Sequence, residues 1–278
     1  MKPLPVILYL HLTLSVLSRT ALIFLDKFPS PDDAILEQST VAMFKENNWT
    51  TFTTTNERVS ADLTGKIDLY VQPGGNKDVS IMFNGFSSDD VKAIQNFVNN
   101  GGKYYGICLG AFLAGPDFFN IIPWGSAIQN KVGFLKPALT KFTINGTTNV
   151  IYTQEPPELG KHQENGIDAI GNFPDGSSLF LVKGYGKGKV GLMAAHPEAQ
   201  SSWSTDTIFV EDNIAFDTGI LLAEHLFGDY SLEALSAGAI LGIVLASVAF
   251  IGFLIGGVIY FQKRRHSIRS NMKTAQKL

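Results

Sequence analysis

Cys108 is the only cysteine among 278 residues, and it lies in the stretch GGKYYGICLGAFLAG with Gly106 and Gly110 two positions away on either side. The run before it is aromatic and β-leaning, and the run after it is built of small and apolar residues, which predicts a strand turning sharply into a helix. A thiol on such a turn is lifted above the sheet, has room around it for a substrate, and faces a helix N-terminus that favours a thiolate or an oxyanion. The same pattern also suits a buried cysteine closing a strand. A nucleophile needs a base, and the base needs an orienting group. Of five histidines, His11 lies in the leader, His266 in the basic tail, His225 near the end of an apolar helical pattern and His162 in the polar stretch ELGKHQENG. His196 follows an apolar strand in GLMAAHPEAQ, with Glu198 two residues on. On extended chain, residues two apart share a side, so this carboxylate can bond the imidazole and fix its tautomer. Cys108, His196 and Glu198 are therefore the candidate catalytic relay.

The elements that must position these groups follow from apolar spacing. TALIFL, WTTFTTT, IDLYVQPGG and KYYGI predict strands, and DDAILEQSTVAMFKENN, SSDDVKAIQNFVNNGG and LGAFLAG predict helices. Asp32 is placed to cap the first helix; Ser87 or Ser88 caps the second, with Gly101 closing it. This alternation predicts an α/β sheet with parallel strands, which holds its ligands at the strands' carboxyl ends. Both the Pro73-Gly74-Gly75 turn and Cys108 fall there. From Pro116 to about Asp175 the pattern predicts loops and antiparallel strands decorating the sheet. Ser178 to Tyr185 and Lys189 to Ala195 predict a hairpin, and Asp206 to Gly228 a final helix.

The segments YVQPGG, GGKYYGICLGAFLAG and YGKGKVGLMAAHPEA, in this order and spacing, resemble the class I glutamine amidotransferase-like superfamily, and within it the biotin-protein ligase N-terminal domain family. The resemblance spans about Thr20 to Phe227. It implies a flavodoxin-like, mostly parallel sheet with flanking helices, a Cys108–His196–Glu198 triad, and an oxyanion hole from the backbone amides of Gly75 and Leu109. A biotin ligase would also need a domain with a Gly/Arg-rich adenylate loop, for which the sequence offers no counterpart. A glutamine amidotransferase passes ammonia to a synthase, and none is visible in the sequence. Three readings follow: a thiol hydrolase or amidase acting on an amide such as a glutamine or γ-glutamyl group, a lumenal binding domain of the same fold without turnover, or an amidotransferase subunit with a separate synthase.

The two ends predict the setting. Residues 1–19 read as a signal peptide, with Lys2 before an apolar run. Residues 237–261 carry no charge and are long enough to span a bilayer, and residues 262–278 carry six basic and no acidic residues. The positive-inside rule then predicts a single-pass type I protein with a cytosolic tail and residues 20–230 as a lumenal or extracellular domain. Gly238-x-x-x-Gly242 and Gly252-x-x-x-Gly256 could pair two spans in a homodimer. Asn48-Trp49-Thr50 and Asn145-Gly146-Thr147 are N-glycosylation acceptors. With eight of the 22 basic residues in leader and tail, 14 remain against 25 acidic ones, so the domain disfavours nucleic acid as a partner. A lone cysteine forms no disulfide within the chain, so the fold must rest on its core. GYGKGKVG lacks the Lys-Ser/Thr ending of a P-loop and precedes a strand, so it predicts a hairpin turn. No His/Cys/Asp cluster has metal spacing, and no cofactor is expected.

Overall fold

The computed structural model describes residues 19–63, 65–75, 78–122, 131, 136–160 and 166–228. The chain divides into two units, 1–229 and 230–278, and every described residue belongs to the first. The predicted leader up to residue 18, the span and the tail, together with His11, His162 and His266, lie outside the described residues. Among those described, no helix is long and apolar enough to cross a membrane.

The elements run in the order β1 (Thr20–Phe24), α1 (Pro31–Glu46), β2 (Thr50–Thr54), α2 (Val59–Asp62), β3 (Leu69–Gln72), α3 (Val79–Phe83), α4 (Ser88–Asn99), β4 (Lys103–Ile107), α5 (Leu109–Leu113), β5 (Ala138–Ile144), β6 (Thr147–Thr153), β7 (Ile167–Asn172), β8 (Ser178–Tyr185), β9 (Gly188–Met193) and α6 (Phe216–His225), with a 3-10 turn at Ser201–Trp203. One nine-stranded sheet has the order β2-β1-β3-β4-β9-β8-β7-β5-β6.

The sheet is mixed rather than mostly parallel. Pairings from β2 through β9 are parallel, and those from β9 outward to β6 are antiparallel. The strands expected to decorate the sheet instead extend it, because β7 pairs with β8 along most of its length and carries the β5–β6 hairpin beyond it. The central strands β1, β3 and β4 are buried on both faces, as parallel strands covered by helices must be. Adjacent residues of β4 serve opposite faces: Tyr104 packs against Tyr70 and Phe119, and Tyr105 against Phe44 and Phe180.

Two helices begin in capping boxes. In α1 the cap is Ser30, paired with Asp33, and not Asp32; Pro31 supplies the first helical residue. In α4 it is Ser87 with Asp90. The last helix starts at Phe216, ten residues after the expected beginning. Val210 is buried with Tyr152 and Ala199, and Ile208 packs against that cluster, which draws the intervening chain into loops.

Candidate active site

Cys108 is the residue between β4 and α5, and its backbone has φ 49° and ψ −108°. That conformation is costly for a side-chain-bearing residue, by about 1–3 kcal/mol, and is held by its surroundings. The Cys108 N–H donates to the Met193 carbonyl of β9 at 3.0 Å, and its own carbonyl accepts from Ala111 N at 2.8 Å. Glycine on both sides is a requirement of close approach. A Cβ at Gly106 would stand 2.5 Å from the Gly110 carbonyl oxygen, and a Cβ at Gly110 would stand 2.1 Å from the Gln72 carbonyl oxygen. The Gly-x-Cys-x-Gly spacing is thus what allows the end of β3, the end of β4 and the start of α5 to touch backbone to backbone.

His196 follows β9 and is 4% exposed; Glu198 is fully buried. The His196 N–H donates to the Tyr152 carbonyl at 2.9 Å, tying the end of β6 to the segment after β9. Imidazole Nδ1 lies 3.0 Å from Glu198 Oε1. Gly74 lets the ring sit close to the end of β3, since a Cβ there would be 2.7 Å from His196 Cε1. Burial alone would lower the affinity of the ring for a proton. Charge interactions with Cys108 and Glu198, and the hydrogen bonds the ring donates to both side chains, outweigh burial and raise the His196 pKa from 6.5 to about 10. With Nδ1 committed to Glu198, Nε2 is the nitrogen left for the sulfur.

The three residues meet at one rim of the sheet, below a cavity of about 630 Å³ lined by Cys108, His196, Gly75 and Leu109 among others. Cys108 is only 6% exposed, yet the cavity reaches it. Gly75 and Leu109 lie side by side: a Cβ at Gly75 would be 3.7 Å from Leu109 Cδ1. Among the described residues neither amide donates to a backbone carbonyl.

Several lining residues were not singled out in the sequence. The rings of Tyr152 and Trp203 stand edge-on to His196 at centroid distances of 5.9 and 5.2 Å. The Cys108 sulfur lies 3.8 Å from the Gln154 carbonyl. Trp203, alone in the polar run AQSSWST just after His-Pro-Glu, was the available signal; Tyr152 and Gln154 reach the site only through the sheet's antiparallel half. Three carboxylates, Asp32, Asp78 and Glu155, also line the cavity, and no described lining residue is Lys or Arg. His225 is elsewhere, bonded through Nε2 to Asp168 at 2.7 Å. Asn48 and Asn145 are exposed turn residues with φ 63° and 50°. Among the described residues no group of His, Cys, Asp and Glu could hold a metal ion.

No family model matches the chain, and no curated protein does. Among solved structures, the chain is similar to a ThuA-like protein from Bacteroides uniformis, with 10% identity and a TM-score of 0.50 over 76% of this chain and 90% of that one. A glutamine amidotransferase from Thermotoga maritima aligns at 11% identity and a TM-score of 0.43, over 66% of this chain and 78% of that one. A β-galactosidase from Rahnella sp. R3 aligns at 14% identity and a TM-score of 0.46, over 75% of this chain and 31% of that one. At 10% identity the likeness to the ThuA-like protein shows the fold alone, an α/β architecture.

Proposed function

We propose that the protein is a membrane-anchored thiol hydrolase or amidase of the glutamine amidotransferase-like class, of the biotin-protein ligase N-terminal domain branch, acting on an amide such as a glutamine or γ-glutamyl group. The observation that carries the reading is an imidazole bonded at 3.0 Å to a buried carboxylate and lining the same cavity as the Cys108 thiol. Under this reading, the Cys108 thiolate attacks the amide carbonyl carbon. The oxyanion that forms is held by the amides of Gly75 and Leu109. The His196 imidazolium then gives its proton to the departing nitrogen, the C–N bond breaks, and an acyl-thioenzyme remains. Water attacks the thioester while imidazole takes its proton, and the carboxylic acid leaves as the thiolate returns. Glu198 orients the ring and favours its charged form in both halves.

The cavity is larger than a glutamine side chain needs, and its described rim is acidic. Both features favour a larger amide with a cationic or neutral substituent over a small anionic one. The membrane anchor, the lumenal placement and the two glycans belong to the same reading and rest on the sequence pattern. The test is ammonia or amine release from glutaminyl amides of increasing size. Turnover lost in Cys108→Ala supports the reading. Turnover retained in Cys108→Ala overturns it, and binding without turnover favours the lumenal binding domain.

A further inference from the structure

We propose that the two N-glycosylation acceptors are edge guards, whose glycans block the two open edges of the nine-stranded sheet. The sequence holds two such triplets. The sheet has two edge strands, β2 and β6. The threonine of the first triplet, Thr50, is the first residue of β2, and that of the second, Thr147, is the first residue of β6. Each triplet therefore ends where an edge strand begins.

Both edges need protection. A bare edge offers unpaired N–H and C=O groups to another chain, and proteins blunt it with charge, proline, a bulge or a cover. TTFTT and TTNVIYT contain no charged residue, no proline and no glycine, and are rich in β-branched and aromatic residues. That composition is the signature of segments that pair with copies of themselves. Phe52, in the middle of β2, is 55% exposed. On β6 the carboxyl half is occupied, since Tyr152 bonds His196. The exposed half, Thr147 to Asn149, is the half next to Asn145. A bulky hydrated glycan beside each open stretch supplies the obstacle that the strand's own residues lack.

The inference rests on the lumenal placement in the proposed function, and one experiment separates the two. The full chain is expressed in a eukaryotic secretory host. Protease added to sealed microsomes tests placement, glycopeptide mass spectrometry tests occupancy, and light scattering of the detergent-solubilised chain tests association. The acceptors are removed by Thr50→Val with Thr147→Val, which keeps β-branched strand residues. Gln at Asn48 or Asn145 would be strained at φ 63° and 50°. Thr50→Ser with Thr147→Ser retains both acceptors.

The expected result is a protected domain modified at Asn48 and Asn145, with a mass distribution that shifts to larger species in the Val pair and after enzymatic deglycosylation of the wild type, but not in the Ser pair. Phe52→Lys in the Val pair, which charges one bare edge, should reverse part of that shift. A protected domain with unmodified asparagines overturns the inference, as does a deglycosylated chain with the wild-type mass distribution. A domain digested from outside overturns the lumenal placement, and the inference with it.

Discussion

Gly110→Ala and Gly184→Ala are the same chemical change with opposite expected outcomes. At Gly184, on β8, an added Cβ meets nothing within 4 Å, so the variant should melt as the wild type does or slightly higher, since alanine has less backbone entropy to lose. At Gly110 the Cβ would stand 2.1 Å from the Gln72 carbonyl oxygen. Ordinary contact requires about 3.4 Å, so α5 and the end of β3 must separate by roughly 1 Å. Overpacking of this kind costs about 1–3 kcal/mol, which for a domain of this size lowers Tm by roughly 3–10 °C. The same shift moves Cys108 and the Leu109 amide relative to His196 and Gly75, and a displacement of about 1 Å reduces turnover on the order of a hundredfold. The assay is thermal unfolding together with iodoacetamide labelling, which reports one site because Cys108 is the sole cysteine. A Gly110→Ala protein that melts and labels like Gly184→Ala would refute the argument that backbone approach dictates the glycine spacing.

Glu198→Gln removes one of the two charges that hold His196 at about 10. The imidazolium should fall by about 1–3 units, and Cys108 labelling near neutral pH should slow by roughly ten- to a hundredfold, read from the pH profile of alkylation. Wild-type stability carries the same signature. Because the folded-state value lies above 6.5, the ring's contribution is complete below about pH 6.5 and is lost as pH rises through about 10, which unfolding at several pH values would show. For amides matched in size, a cationic substituent should give a higher kcat/KM than an anionic one, and Asp78→Asn with Glu155→Gln should narrow the gap; preference for the anion would contradict the acidic-rim argument. Lys131, buried at 3% exposure, donates to Ser177 Oγ at 2.6 Å and pairs with Asp175 and Glu158. Burial pushes the Asp175 carboxyl up, but hydrogen bonds from Lys131 and Ser177 prevail and hold it at about 2. Lys131→Met should return it toward the ordinary carboxylate range, measurable by an NMR titration.

Much of the positional logic was legible in the residues. Gly106 and Gly110 flank Cys108 at the spacing a tight turn needs, and His196 and Glu198 meet as their spacing of two predicts, although Pro197 and Glu198 form a turn, closed by the Ala199 N–H on the His196 carbonyl at 3.4 Å, and not the extended run expected from the sequence. Each of these is a local relation, fixed by a few neighbouring dihedrals. What was not legible depended on distant pairing. The strand pattern between Pro116 and Asp175 gave no sign that β7 would join β8 and so continue the main sheet. The late start of α6 follows from Val210 packing against Tyr152, a residue 58 positions earlier in the chain. Tyr152 reaches His196 through that same long-range closure, so its neighbours in sequence carried little trace of the role. Asp32 lost the cap of α1 to Ser30 because Pro31 fills the first helical position, which puts the capping oxygen one residue before it.

The proposed relay requires His196 to activate Cys108, and the second-order rate of iodoacetamide labelling at about pH 6 in the wild type and in His196→Ala reads that dependence. At that pH an isolated thiol near pKa 8.5 is almost wholly protonated and labels slowly. The account predicts a wild-type rate at least about tenfold above that of His196→Ala, with the variant gaining speed only as pH approaches the ordinary thiol range. Equal rates in the two proteins across pH 5 to 8, with both folded, would contradict it.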